Sequence, residues 1–393
     1  MPTTRQEAWR FTDVSALSKI AFTQAETVSL DSSVLPLIDN DAHRLVFVDG
    51  HFAPNLSRLR SLPPKGLIAS LGQALHTHPE LLATHLDRLP GLEDNPFSVR
   101  NSALWEDGAF VYLPRRAVLE APLHLVYFST GEDTVSYPRS LIVLEDSAQA
   151  TIVEDHLGHG RYLSCPLSEI RLAQGAVLDY YQAQEQDEQA RHLGGLRTYQ
   201  ERDSRLQAFL FSAGGLLART DVAALLDGEG ADCQLNGLTL VAGNQVGDFH
   251  VQVDHAKPHG TSGQLFKGVL EGKGRAVFDG LIRVRKDAQK TDASQNNRNL
   301  LLSKLALANS NPRLEILADD VKCSHGSSIG FLDQDALFYF RSRGIGLAEA
   351  QAMLVYSFAN DIVKRIHWVP LRERLEQRLA QRLYPEAAER ITV

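Results

Sequence analysis

The 393-residue sequence predicts a mainly β fold, a β-helix or another stacked-strand solenoid, flanked by helical N- and C-terminal parts. Three observations predict it. Between 99 and 326, short β-branched runs follow one another, separated by turn clusters. Several of these clusters recur at roughly 25–30 residues, the range in which solenoids repeat. Long helical patterns do not alternate with the strands, which argues against doubly wound and barrel α/β folds. Each strand is too short to bury a core alone, whereas stacked coils share one. A β-sandwich with many hairpins is the alternative these patterns leave open.

Taken in order, residues 1–98 read as a small, largely helical N-terminal domain. An aromatic pair, Trp9 and Phe11, opens the chain, and Leu67–Leu75 and Pro79–Leu86 have helical apolar spacing. Pro63-Pro64 and Pro90-Gly91 punctuate them. The β core, 99–326, carries runs such as Leu123–Phe128, Ser140–Leu144, Ala176–Tyr181 and Leu281–Val284. Its turns include Glu145-Asp146-Ser147, Ala173-Gln174-Gly175 and Glu271-Gly272-Lys273-Gly274. Leu314–Gly326 reads as its last strand. The C-terminal domain, 327–393, turns helical after Gly344, with Leu347, Ala350, Met353, Phe358, Ile362 and Ile366 on one apolar face. A second, charged helix follows Pro370. Such an amphipathic pair either seals the end of a solenoid or docks a partner.

Composition excludes several classes. Hydrophobic content of 44% and charged content of 22% describe a globular chain. A net charge of −8 and a pI near 6.0 lack the basic face that nucleic acid requires. Three widely spaced cysteines, Cys165, Cys233 and Cys323, make no disulfide framework and suit a reducing compartment. The N-terminus has no signal or transit character, and no apolar window reaches a membrane-spanning length. The expectation is a cytoplasmic protein that contacts neither membrane nor nucleic acid.

The chemistry concentrates at Cys323 and His325. Side chains two apart on a strand share a face, so a sulfur and an imidazole stand together, both candidate ligands for iron or zinc. Two ligands do not complete a tetrahedral site, and the rest must come from elsewhere in the chain or from a partner. A neighbouring imidazolium would also favour the Cys323 thiolate; the alternative is a core cysteine beside a solvent-facing histidine. Other patterns are weaker. Gly268–Gly274 imitates a P-loop without its spacing or its Ser/Thr, and reads as a hairpin turn. Gly326-Ser327-Ser328-Ile329-Gly330 matches a nucleophile elbow, with Asp333 or Asp361 and His367 in triad order, but lacks the α/β context. His250, His255 and His259 cluster, as do Glu154, Asp155, His156 and His159, and read as polar strand-edge or turn residues. Cys165 and Cys233 read as buried small hydrophobes. Asp248, Asp254 and Asp279 are the scattered carboxylates that a polysaccharide-active solenoid enzyme would use.

Several long strings together resemble the SufD branch of the SufB/SufD family of iron–sulfur cluster assembly proteins. They are Phe266–Leu270, Ala288–Ala293, Gln295–Ser303, Ala318–Gly326 and Leu337–Ile345, with Trp9–Asp13 resembling the family's opening motif. The likeness is dense from 249 to 365 and thin before it. It implies a right-handed parallel β-helix and a non-enzymatic scaffold subunit. The implied partners are a SufB paralog, paired through the β-helix, and the SufC ATPase, held by the C-terminal helical part. It implies His325 as a ligand to transient iron or a nascent cluster at the subunit interface, with Cys323 accompanying it and no cofactor stably bound. A SufB-type identity is the nearest alternative, and pairing of two copies of the chain alone is left open. Deleting everything from Gly344 onward is expected to remove ATPase binding and spare the solenoid.

Overall fold

The computed structural model describes residues 1–25, 30–35, 41–92 and 95–383. Two long parallel sheets face each other, and from Leu167 to Phe331 successive strands alternate between them. The first sheet ends in Leu217–Leu226, Val246–His255, Arg275–Val284 and Leu307–Ile316; the second ends in Asp232–Val241, Thr261–Leu270, Asp292–Leu301 and Lys322–Phe331. Asp232 pairs with Thr261, Thr261 with Asp292 and Asp292 with Lys322, so each coil returns to its own register. This is a β-solenoid of about eight turns. From Leu167 to Phe331 every neighbour is parallel, which rules out the sandwich, whose hairpins would pair antiparallel.

One corner shows why the coils stack. Ser147, Gly175, Asp203, Gly230, His259 and Lys290 all have left-handed backbone, one per coil. Each sends its N–H to a carbonyl of the next coil, from Ser147 to Gln174 through to Lys290 to Asp320. Asp and Gly tolerate that conformation cheaply, so turn clusters such as Glu145–Ser147 and Ala173–Gly175 are rungs of one ladder. The Glu271–Gly274 turn is a corner on the opposite side rather than a hairpin: the strands it joins lie in different sheets, and the Lys273 N–H donates to the Gly243 carbonyl of the preceding coil.

Alternation does the rest. Along Arg205–Ser212, Leu206, Ala208 and Leu210 join the interior cluster while Phe209 and Phe211 face outward. That outer face of the second sheet is apolar and is covered by helices Leu347–Val363 and Val369–Leu383, through Ala359, Ile362, Leu371, Leu375 and Leu379. The two helices therefore lie along the side of the solenoid and do not seal its end. Arg374 adds a two-pronged ion pair to buried Asp155 (2.6 and 2.7 Å), which also binds His124 (2.7 Å). Burial raises the Asp155 pKa, but Arg374 and His124 outweigh it and hold the carboxyl well below its usual range.

The first sheet is covered differently. Trp9 is buried with its ring 3.7 Å from the Arg219 guanidinium. Arg219 donates to the Ala8 carbonyl (2.7 Å) and to Asp221 (2.8 and 2.7 Å), and Thr12 binds Asp248. The aromatic opening of the chain is thus a clasp on the solenoid. Helix Pro96–Leu104 is tied down by fully buried Arg139, which bridges Asn101, Ser102, Asp87 and Glu169.

The N-terminal part is less helical than its pattern suggests. Strand His43–Val48 extends the second sheet by pairing with Leu123–Phe128. Leu67–Ser70 is a strand antiparallel to Gly108–Leu113, and the helix begins only at Leu71, where the Ser70 hydroxyl accepts from the Gln73 N–H (3.2 Å). An N-capping serine starts a helix at the next residue, so the apolar spacing that runs through it spans two elements.

Candidate functional site

The last coil consists of Leu307–Ile316 and Lys322–Phe331, each paired on one side only. The expected single strand Leu314–Gly326 is two strand ends separated by the corner 317–321, where the ladder turns from one sheet to the other. Register carries the inward positions upward: Ala293 lies beneath Cys323, Gln295 beneath His325 and Asn297 beneath Ser327. In lower coils these positions are buried, whereas His325, Ser327 and Ile329 are exposed because no coil lies above them. The Ser327 and Ser310 hydroxyls meet across the two sheets at 2.8 Å. Around this mouth Leu305, Leu307, Leu317, Ile329 and Phe331 are exposed, Phe331 at 59%. Clustered exposed hydrocarbon of this kind marks an interaction surface.

Cys323 and His325 occupy alternate positions of this edge strand, as their spacing predicts, but in unlike surroundings. His325 is exposed; Cys323 is half-buried against the small cluster of Ile282, Val284, Ala288, Ala293 and Ala318. Burial raises the Cys323 thiol pKa, and the Asp292 carboxylate raises it further. The expected imidazolium-favoured thiolate is therefore not what this chain provides alone. Among the described residues no group of three or more His, Cys, Asp or Glu is placed to hold a metal, so the donor pair is incomplete here.

The other candidates disperse. Ser328 sits mid-strand rather than on an elbow, Asp333 caps helix Gln334–Ser342, Asp361 pairs with Lys267, and His367 lies by Asp179. His250 faces outward by Asp248, His255 points inward to Ser262 (2.8 Å), and His259 is a corner rung, so the three share no site. Glu154 and His156 form a buried pair inside the coils (2.9 Å), Asp155 faces outward, and His159 packs on Phe128. Asp248, Asp254 and Asp279 are each answered by an arginine, Arg219, Arg285 and Arg313, so all three sit in structural ion pairs. Cys165 and Cys233 are buried, with thiols pushed up, Cys165 to about 12. Sequence reasoning missed the amide floor beneath the mouth, Gln264, Gln295, Asn297 and Asn299, all buried. Its only signal was their alternation, which reads as inward once the strand is known.

An open solenoid end with one imidazole at its rim meets the chain's likeness to known proteins. Residues 127–358 match the family described as SUF system FeS cluster assembly, SufBD core domain, and residues 1–125 match the SufBD protein N-terminal region. The chain belongs to the SufBD family. An iron-sulfur cluster assembly SufBD family protein of Synechocystis is 35% identical, covering 96% of this chain and 86% of that one. Iron-sulfur cluster assembly protein SufD of Escherichia coli is 30% identical, with 98% and 89% covered. Protein ABCI7, chloroplastic, of Arabidopsis thaliana is 32% identical, with 96% and 81% covered. Among the described residues no helix is long and apolar enough to cross a membrane.

Proposed function

We propose that this SufBD-family chain is a SufD-type scaffold subunit without catalysis of its own. Its open end pairs with a SufB-type paralog in the cytoplasm, and iron or a nascent cluster passes through the joint as cargo, with nothing held stably. His325 supplies an iron ligand, and Cys323 joins as an accessory thiolate once the partner changes its surroundings. One observation carries the reading: His325 stands exposed on an unpaired edge strand, above inward positions that every earlier coil covers. Two unpaired edges flanked by apolar side chains suit a second solenoid that continues the stack. Two copies of the chain could meet in the same way when the paralog is missing.

The SufC-type ATPase docks on the C-terminal helices, and here helix Gln334–Ser342 is the suitable face, with Phe338 and Tyr339 exposed. The helices from Leu347 onward bury their apolar side on the solenoid. Removing everything after Gly344 would bare Phe209, Phe211, Leu238 and Leu240, so that deletion cannot spare the solenoid. The test of the ligand role is His325→Ala in a chain co-expressed with its partners. Assembly of the complex should be unchanged and cluster yield should fall at least tenfold; normal yield would remove the role.

A further inference from the structure

We propose that Gln295 is the positioning residue for His325, accepting one ring N–H so that the other ring nitrogen is presented to the cargo iron. This rests on the reading of His325 as a ligand. Gln295 is 2% exposed and stands directly beneath His325 in the parallel register. Its Nε2 donates downward to Gln264 Oε1 (2.9 Å). With Nε2 committed to that bond, the Oε1 on the same planar carbon is left without a partner among the described residues. A buried amide oxygen without a donor costs free energy unless something supplies one.

Of the neighbouring amides, Asn297 Nδ2 donates to the Phe266 carbonyl (3.2 Å) and Asn299 Nδ2 to Asn297 Oδ1 (2.7 Å), while Gln264 Nε2 in the coil below has no partner among the described residues and makes no bond to this oxygen either. Across the core, Gly280 leaves room for the Gln295 amide, since a Cβ there would lie 2.3 Å from Nε2. The amide is thus wedged in place, and His325 is the donor-bearing side chain next in its column. A metal-ligating imidazole is oriented by the hydrogen bond its other nitrogen makes. Here a neutral carbonyl fills that role, fixing a tautomer without adding charge.

The test uses the full chain with ¹⁵N-labelled histidine, at a pH where the imidazole is neutral. Two-bond ¹H–¹⁵N correlations read the tautomer, and His325 signals are assigned by their loss in His325→Ala. The wild type should show one tautomer, Gln295→Leu the mixture of a free imidazole, and Gln295→Glu the wild-type tautomer. A mixture in the wild type, or one tautomer in Gln295→Leu, overturns the proposal. Should Gln295→Leu not fold, Gln295→Met gives the same comparison at matched length. Iron(II) binding by the co-purified complex should weaken about 10–100-fold in Gln295→Leu. Because the tautomer needs neither metal nor partner, its failure is distinguishable from failure of the ligand role itself.

Discussion

The two ends of the solenoid are built on opposite rules. At the N-terminal end each sheet finishes in an antiparallel strand: Leu67–Ser70 closes one, and His51–Phe52 closes the other, with Phe52 packed on Phe47. At the C-terminal end both sheets stop bare. Solenoids need capped ends because an unpaired edge is a template for another chain. Capping one end and leaving the other open restricts strand pairing with another chain to one end of the stack. The same substitution at the two ends should separate these roles. Ile68→Asp, at a 5% exposed position in the cap, should cost the chain about 3–5 kcal/mol through lost burial and a desolvated carboxylate. Ile329→Asp should stay within about 0.5 kcal/mol for the isolated chain, yet abolish co-purification with the paralog. Denaturant unfolding and sedimentation read both; equal instability at the two ends would mean the mouth is part of the fold's own core.

The two outer faces form a second contrast. The first sheet is covered by apolar clusters around Trp9 and Leu71 threaded with buried ions at Arg139 and Arg219, and the second by the hydrocarbon of the C-terminal helices with charge locks at Arg374–Asp155 and Lys267–Asp361. Breaking a buried pair strands the remaining charge, at about 3–5 kcal/mol. Arg374→Met should therefore destabilise by roughly 3 kcal/mol at neutral pH, since Asp155 keeps only His124. The pH dependence has a definite sign. A carboxyl with a depressed folded pKa contributes stability above its unfolded value, and that stability is lost as pH falls through the folded value. The gap between wild type and Arg374→Met should be full above about pH 5 and close on acidification, as protonation relieves the stranded Asp155. A gap that widens in acid would show that Asp155 is not the partner that matters.

The legible parts of the sequence were those where one physical cause dominates. Leu123–Ser129 and Arg139–Leu144 are strands because β-branched and leucine side chains bury on both faces. Some turn clusters were visible because their left-handed corners hold Gly or Asp, as at Gly175, Asp203 and Gly230, whereas His259 and Lys290 fill the same position without that signal. Leu217–Leu226 was missed: Arg219 and Asp221 disguise it, and Arg219 stacks on Trp9, more than two hundred residues away. Asp292–Leu301 was missed because its interior positions are amides rather than hydrocarbon. The Cys-x-His spacing placed both side chains on the edge strand, but it could not show which would be solvent-facing. That depends on Cys323 resting over Ala293 and the alanine-rich corner, a contact written in another coil.

The finest distinction lies within the C-terminal helices, between side chains buried in the fold and those turned to its surface. Leu337 is buried, while its neighbours Phe338 and Tyr339 are 74% and 57% exposed on a helix capped by Asp333. Exposed aromatics gain nothing for the isolated chain, and aromatic anchors are where binding energy concentrates. Phe338→Ala should leave the unfolding midpoint within about 0.5 kcal/mol of wild type. The same change should weaken binding of the ATPase subunit by about 1–2 kcal/mol, roughly tenfold in Kd. Leu337→Ala is the matched control: it should cost about 2–3 kcal/mol of stability before any effect on binding appears. If Phe338→Ala binds the ATPase normally while Leu337→Ala loses both properties, the helix serves the fold alone and the docking face lies elsewhere on the chain.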